Sequence, residues 1–326
     1  MAVAVDLLKR VRNIHWAVGA RFVLLSSFGQ HYIKVTGSNA APVIRSITLP
    51  DSPKGPVYNT MASSYRLIAG NPPKPTFLMF GLVDTVEANG RSGTATAIMI
   101  SNNAIDWRHV FLSETGLDGT LPWHSTGNAL VWSPLRNAFY FDQRVTRFGL
   151  PFVETPTGDN AWVHDQAYRS ANGESWSGPV SDEQISFGAE TMGWRSVFPP
   201  TYCTHNNAKD TLEQNVPDGF IHKEGDLLLR PKTPTTINYG IPSFVGGTSD
   251  QIEIYSGTTF IGTKNPGVGR VFCVAGAGRV WMAGGSIGTT VSFDDGATWK
   301  PVRFEGHEFF GVISISAAPP RDFQAA

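Results

Sequence analysis

The chain has 326 residues, with 26 basic and 27 acidic side chains and a formal net charge of −1. No basic cluster alternates with aromatic residues, which argues against nucleic-acid binding, and no run of about 18 apolar residues predicts a membrane-spanning segment. The 34 glycines, 22 prolines and 11% aromatic residues are typical of many short strands joined by turns. We therefore expect an all-β chain that folds as a single domain.

The first 75 residues predict strands separated by loops. Only residues 3–11 have a helix-like apolar spacing, and the N-terminus lacks the long apolar stretch of a secretory signal. Strand-like runs follow at 13–18, 21–26, 31–36 and 43–49. The proline-rich stretch 71–75 predicts a rigid loop, because proline cannot pair within a central strand.

Three segments share a serine, an Asn or Asp two positions later, and a closing tryptophan. Their starting positions fit a repeat of about 60 residues with one copy skipped. In segment 292–299 the Asp294 carboxylate can accept hydrogen bonds from its own turn, and Gly296 can adopt a positive φ. The positions that carry the pattern are Ser101, Asn103, Trp107, Ser170, Asn172, Trp176, Ser292, Asp294, Gly296, Thr298 and Trp299.

The C-terminal region shows the repeated unit most clearly. Strands are predicted at 270–276, 278–285, 289–292 and 298–304, and glycines separate them. Four short antiparallel strands of this kind are typical of one blade of a propeller. The next segment, 308–316, also reads as a strand. We expect it to pair with the N-terminal 50 residues, because a ring left open would expose a sheet edge.

Segment 292–299 reads S-x-D-x-G-x-T-W, which resembles the Asp-box of the BNR-repeat, sialidase-like β-propeller family. The 101 and 170 segments are similar to degenerate copies of it. The resemblance implies a single β-propeller over residues 1–326, with four-stranded antiparallel blades and a ring closed by the N- and C-terminal strands. Six blades are favoured, with five to seven as the range. The resemblance also implies a structural role for the Asp-box residues.

Sialidases share this fold, so a glycan-processing enzyme is the main alternative. A sialidase-like site resembles three arginines that clamp a carboxylate, a Tyr–Glu nucleophile pair and an Asp acid. The early Arg-Ile-Pro signature of that family is absent, since Arg66 is followed by Leu-Ile without a proline. Glu253 and Tyr255 share a strand face and resemble a Tyr–Glu pair, or are two ordinary strand residues. No other catalytic motif occurs.

Cys203 and His205 are too few to ligate a metal, so we expect no metal site. Because no catalytic or dinucleotide-binding motif occurs, we also expect no catalytic residue and no cofactor.

The long stretches 144–161 and 199–240 interrupt the repeat, and long loops on a rigid scaffold often carry recognition. The apolar residues in or next to these stretches, Phe148, Phe152, Phe198 and Tyr202, predict an interface with other protein subunits. The irregular blades are similar to those of phage virion propellers, especially tail components. The hypothesis is therefore a non-catalytic component of a bacteriophage virion (tail), located in the virion or alternatively in the cytoplasm, with a host-surface glycan as a further ligand. The alternative function is a sialidase-like or other glycan-processing hydrolase.

Overall fold

The computed structural model describes residues 18–27, 29–86, 92–113, 123–133, 137–147, 164–180, 222–224, 227–231, 250–256, 259–277 and 280–323. Within these residues the chain is all-β, as the composition predicts. Its strands form antiparallel sheets, and the one described helix is a short 3₁₀ turn, Pro320–Phe323.

The described strands fall into five units of four antiparallel strands. Three units are separate four-stranded sheets, and the other two form one eight-stranded sheet through a single parallel pairing of Thr94 with His124. Unit 1 comprises β22 (Ser314–Ala318), β1 (Arg21–Ser26), β2 (Gly29–Lys34) and β3 (Val43–Ser46); unit 2, β4 (Val57–Ile68), β5 (Lys74–Val86), β6 (Ser92–Ser101) and β7 (Arg108–Leu112); unit 3, β8 (Trp123–Ser133), β9 (Ala138–Arg147), β10 (His164–Ser170) and β11 (Ser177–Val180); unit 4, β12 (His222–Glu224), β13 (Leu227–Pro231), β14 (Ile252–Ser256) and β15 (Thr259–Lys264); and unit 5, β16 (Val271–Ala277), β17 (Val280–Gly285), β18 (Thr289–Ser292) and β19 (Lys300–Pro301). A small hairpin of β20 (Arg303–Phe304) and β21 (His307–Glu308) precedes β22.

The C-terminal strand completes the N-terminal sheet. β22 pairs antiparallel with β1, from Leu25 opposite Ser314 to Arg21 opposite Ala318. The sequence predicts this pairing for segment 308–316, although the strand itself begins at Ser314. Several other bounds differ from the sequence prediction; the strand predicted at 43–49, for example, ends at Ser46. The loop predicted at 71–75 ends earlier, because β5 begins at Lys74 and pairs through Pro75, and the last strand of unit 5 ends at Pro301.

Both faces of unit 1 are buried at β1 and β2, each against a different neighbouring unit. Because successive side chains of a strand point to opposite faces, β1 contributes to two separate clusters. Phe22 and Leu24 pack with the side chains of unit 5. The alternate residues Val23 and Leu25 pack with those of unit 2. The sheets are therefore layered face to face, with unit 1 between units 5 and 2.

The layering continues on either side of these units. Phe80 of unit 2 packs with Phe139 and Phe141 of unit 3. Ile252 of unit 4 packs with Trp281 of unit 5. The order of the layers among the described residues is thus unit 4, unit 5, unit 1, unit 2 and unit 3.

The first strands of neighbouring units lie next to one another. β22 contacts β4 and β16, β4 contacts β8, and β12 contacts β16. Between β4 and β22 the Ser63 N–H donates to Ser314 Oγ at 3.0 Å, and both serines are buried. Polar side chains therefore link two units along their first strands.

Gly284 of β17 shows how closely the chain leading into β22 packs on unit 5. A Cβ atom at Gly284 would lie 2.3 Å from Val312 Cγ1 and 2.8 Å from its Cβ. The Val312 N–H donates to the Gly285 carbonyl at 3.0 Å, so the segment cannot withdraw without losing a hydrogen bond. We expect Gly284→Ala to lower the free energy of unfolding by about 1–3 kcal/mol through overpacking.

The matched control for this substitution is Gly288→Ala, since a Cβ there would meet no neighbour closer than Glu308 Oε2 at 3.6 Å. Urea unfolding of both variants measures the difference. Equal losses of stability in the two variants would contradict the packing argument.

Candidate functional site

The three tryptophan-closed segments form turns of one geometry at one place in their units. Each connects the third strand to the fourth, in units 2, 3 and 5 respectively. In each, the tryptophan Nε1–H donates to the carbonyl three residues earlier, and the residue bearing that carbonyl has a positive φ. The pairs are Trp107 with Ala104 (3.2 Å, φ 67°), Trp176 with Gly173 (3.1 Å, φ 75°) and Trp299 with Gly296 (2.9 Å, φ 84°).

An Asn or Asp side chain organises the inside of each turn. Asn103 Oδ1 accepts hydrogen bonds from the N–H groups of Ile105 and Asp106, both at 2.8 Å. Asn172 Oδ1 accepts from the two equivalent N–H groups of its turn, both at 2.9 Å. Such side chains compete well for backbone donors in turns, so the local sequence is sufficient to form this geometry.

Asp294 has the same role in the 292–299 turn, with an additional partner. The Thr298 N–H donates to Asp294 Oδ1 at 2.8 Å, and the Thr298 hydroxyl donates to Oδ2 at 2.6 Å. Ser292 Oγ donates to Oδ1 at 2.9 Å and accepts from the Gly296 N–H. Burial alone would raise the pKa of Asp294, but the bonds from Thr298 and Ser292 outweigh it and hold the pKa below its usual value.

We call the end of the sheets that carries these turns the turn end. There Glu174, from the turn of unit 3, forms ion pairs with Lys74 and with Arg108 Nη2, the latter at 2.8 Å. The hydrogen bond from Lys74 is the main reason that the pKa of Glu174 is lowered. These side chains are partly exposed, so the ion pairs contribute little to the free energy of unfolding. They connect unit 3, which carries Glu174, with unit 2, which carries Lys74 and Arg108.

The other end of the sheets, which we call the opposite end, carries the connections from second to third strands. The Ser27 N–H donates to the Phe310 carbonyl at 3.2 Å, and the Gly311 N–H donates to the Ser286 carbonyl at 3.2 Å. The β1–β2 connection, the β17–β18 connection and the segment before β22 therefore meet there. Ile287 is 51% exposed and Phe310 is 45% exposed at this junction.

A second feature of the opposite end is a bulge at the start of β4. The register passes from Tyr58 opposite Leu82 to Ala62 opposite Phe80, so the intervening residues of β4 face one residue, Gly81. Asn59 in this bulge has a φ of 46°, a left-handed conformation that non-glycine residues rarely adopt. Backbone irregularities of this kind occur frequently next to functional sites.

Tyr58 and Asp84 form a hydrogen-bonded pair beside the bulge. The Tyr58 hydroxyl donates to Asp84 Oδ1. Burial is the main cause that raises the pKa of Tyr58 to about 12, and the bond to Asp84 adds to it. The phenol therefore stays protonated to a higher pH than an ordinary tyrosine. Sequence reasoning missed this pair because the two residues are 26 positions apart and belong to different strands.

The predicted interface residues Phe148, Phe152, Phe198 and Tyr202 lie outside the described residues, as do Cys203 and segment 3–11. Glu253 lies on β14, opposite Arg230 of β13 in the register. β14 contains both Glu253 and Tyr255, but the Tyr255 side chain lies outside the described part of the chain. The predicted Tyr–Glu pair therefore stays a prediction.

The described part of the chain holds no group of three or more His, Cys, Asp and Glu side chains that could bind a metal ion. None of its helices is long and apolar enough to cross a membrane. Cys273 is buried, and burial raises the pKa of its thiol.

No protein-family model and no curated protein matches the chain. Among solved structures the chain is similar to a glycoside hydrolase, with 10% identity and a TM-score of 0.29. The match covers 73% of this chain and 63% of that one, so the chain spans less than two thirds of the hydrolase. A BT0996 RGII complex has 11% identity, a TM-score of 0.27 and coverage of 96% and 94%. An N-acetylgalactosamine deacetylase from F. plautii, in complex with blood group B trisaccharide, has 11% identity, a TM-score of 0.26 and coverage of 93% and 70%.

The Asp294 turn generates a prediction about stability. Asp294→Ala removes the acceptor of the Thr298 N–H, and since that group is exposed we expect a loss of about 1 kcal/mol in the free energy of unfolding. Asp294→Asn should cost less, because Asn103 and Asn172 perform the same task in the other turns. Urea titrations at neutral pH measure both variants. A larger loss for the Asn variant than for the Ala variant would contradict the assigned role.

The same carboxylate has a calculable dependence on pH. Its pKa is lower in the folded chain, so its contribution to stability is present above the ordinary pKa of about 4 and is lost as the pH falls below it. The Asp294→Asn variant should therefore show a smaller loss of stability with acidification than the unchanged chain. Parallel losses in both proteins would show that the carboxylate makes no such contribution.

The pair of Tyr58 and Asp84 predicts a late phenol titration. We expect Tyr58 to ionise at a pH of about 12, and the step is identified by ultraviolet absorbance as the one missing from Tyr58→Phe. Because the folded pKa is raised, the contribution of the protonated phenol to stability is full below a pH of about 10 and is lost as the pH rises through the folded pKa. Asp84→Asn should lower the pKa of Tyr58, and an unchanged pKa would exclude the hydrogen bond.

Proposed function

We propose that this chain is a five-bladed β-propeller whose blades are the five units. The support is the order of face-to-face layers, with each of the three central units packed between two others. Contacts between the first strands of neighbouring units are also expected if those strands surround a common centre. The three turns occupy the same place, between third and fourth strands, as internal repeats require. Five blades fit the described strands better than the six favoured from the sequence spacing.

We propose further that the propeller is a non-catalytic binding and structural component of a larger assembly. The observation that carries this proposal is the pair of apolar side chains Ile287 and Phe310 at the opposite end. Both are about half exposed, and hydrogen bonds from backbone groups of their own segments fix them between units 5 and 1. An apolar pair held in place on a rigid surface is suited to a protein partner, because little ordering entropy is lost on binding. A phage virion is the assembly that we favour.

The experiment places a photo-cross-linking amino acid at position 287 of the chain in its native source. The matched control places it at Ile105, an exposed isoleucine at the turn end. We expect one defined protein adduct from position 287 in purified particles and none from position 105. A chain that is absent from the particles, or equal adducts from both positions, would refute the proposal.

A glycan-processing hydrolase is the second candidate, and the Tyr58–Asp84 pair is the observation that favours it. A tyrosine hydrogen-bonded to a carboxylate lies at the opposite end, away from the turns. Against this function, burial and Asp84 both raise the pKa of Tyr58, and within the described part of the chain no arginine offsets them.

Hydrolysis assays on sialosides and common polysaccharides distinguish the two functions. We expect no turnover. Turnover that is lost in Tyr58→Phe and Asp84→Asn, or in Glu253→Gln, would establish the hydrolase. Variants with unchanged unfolding curves are required for that conclusion.

A further inference from the structure

The turn of unit 3 contains an Asn-Gly pair, the dipeptide at which asparagine loses its side-chain amide most readily. In this reaction the Gly173 nitrogen attacks Cγ of Asn172, a C–N bond forms, and the side-chain amide leaves as ammonia. Water then opens the resulting succinimide ring at one of its two carbonyls, giving aspartate or isoaspartate. Glycine favours the attack because it has no Cβ to obstruct it. Asn172 is exposed, so water reaches its side chain.

The fold favours glycine at position 173 and so keeps the reactive pair. Gly173 has a φ of 75°, a conformation that other residues rarely adopt. A Cβ atom there would lie 3.1 Å from Leu78 Cδ2 and 3.2 Å from Thr76 Cγ2, both in unit 2. Because the packing of unit 3 on unit 2 leaves so little space, any protection of Asn172 must come from the other residues of the turn.

Ser170 withholds the nucleophile of this reaction. Its Oγ accepts a hydrogen bond from the Gly173 N–H at 2.8 Å, and this bond is buried. A backbone nitrogen attacks only after it loses its proton, which both the bond and the burial oppose. The electrophile is held as well, since Asn172 Oδ1 accepts from the N–H groups of Glu174 and Ser175, both at 2.9 Å. Cγ therefore cannot turn towards the Gly173 nitrogen without the loss of these bonds.

The same protection recurs in the turn of unit 5. There Gly296 follows Asp295, and an Asp-Gly pair forms the same succinimide with loss of water. Ser292 Oγ accepts from the Gly296 N–H at 2.9 Å, again in a buried bond. In the turn of unit 2 the corresponding residue is Ala104, whose Cβ obstructs the attack. The bond from glycine to serine is therefore present in both turns in which a glycine makes the reaction fast.

We propose that Asn172 is a modification site that the folded turn keeps unreactive, and that opening of this turn releases the Gly173 N–H and allows Asn172 to deamidate. The product is a negatively charged aspartate or isoaspartate, and the loss of ammonia makes the change permanent. Aspartate is compatible with the turn, because Asp294 has the same role in unit 5. Isoaspartate is not, because it adds a methylene group to the backbone and moves the N–H groups of the turn away from the carboxylate.

The modification would act on the contact between units 2 and 3. Glu174, which forms ion pairs with Lys74 and Arg108 of unit 2, lies in the same turn as Asn172. A turn disrupted by isoaspartate would move Glu174 away from both cations. One opening of the turn would thus leave a lasting change at the boundary between two units, independently of any partner bound at the opposite end.

The test compares deamidation of Asn172 in the folded full chain and in guanidinium chloride, at one slightly alkaline pH, by mass spectrometry of the peptide that contains it. We expect conversion in the folded chain to be at least about tenfold slower, because the reaction requires local opening of the turn. The second Asn-Gly pair of the sequence, Asn89–Gly90, measures the rate of the same dipeptide in the denatured sample. Equal rates for Asn172 in the folded and the denatured chain would overturn the proposal.

Three variants test the role of the serine. Ser170→Ala should raise the rate in the folded chain about fivefold, because it removes one hydrogen bond from a buried N–H. Ser170→Thr keeps the hydroxyl and should keep the slow rate. The matched control is Ser101→Ala, the same substitution at an equally buried serine of the unit 2 turn, which should leave the rate at Asn172 unchanged.

An unchanged rate in Ser170→Ala, or equal acceleration by Ser101→Ala, would contradict the role assigned to Ser170. Unfolding curves of each variant separate the loss of one bond from the loss of the fold. If Ser170→Ala does not fold, the comparison of the folded and denatured unchanged chain still decides whether the turn protects Asn172.

Discussion

Burial of both faces of each central sheet is the constraint on which the rest of the structure depends. In a sheet with one solvent-exposed face, shifting a strand by one residue would move its apolar side chains into water, and this cost fixes the register. The constraint is weaker in β1, where Phe22, Val23, Leu24 and Leu25 are all buried. Size must then distinguish the two faces, so the register depends on how large and small side chains fit between neighbouring sheets.

Close approaches at glycine supply that distinction. Gly276 of β16 is opposite Trp281 of β17, and a Cβ at Gly276 would lie 2.8 Å from the indole ring. Shifting the pairing by one residue would place the indole against Ala275 or Ala277, which have the Cβ that this space excludes. Gly284 has the same relation to Val312. The glycines of unit 5 are thus part of the specification of the fold, in addition to separating its strands.

The parts of this structure that sequence reasoning predicts are those encoded locally. The turn residues Asn103 and Asp294 bond within their own segments, so a short pattern is sufficient to predict where turns form. The strands of unit 5 are predictable because glycines mark their ends. The pair of Tyr58 and Asp84 depends on the register of two long strands and on a bulge, neither of which leaves a local signal. The spacing of the turns is a weaker guide, because loops of unequal length change the distance between successive turns along the chain.

The antiparallel path also gives the two ends of each sheet different kinds of connection. In units 2, 3 and 5 the turns between third and fourth strands bond internally through side chains such as Asn103, so a substitution there acts first on local stability. Connections between second and third strands reach the other end, where Ile287, Phe310 and the Tyr58–Asp84 pair are accessible. A loop at that end can change its length or its side chains without disturbing the Asn and Asp bonds of the turns. Substitutions at the opposite end are therefore expected to be tolerated where they avoid the close contact between Gly284 and Val312, whereas substitutions of Asn103 or Asp294 act on the turns themselves.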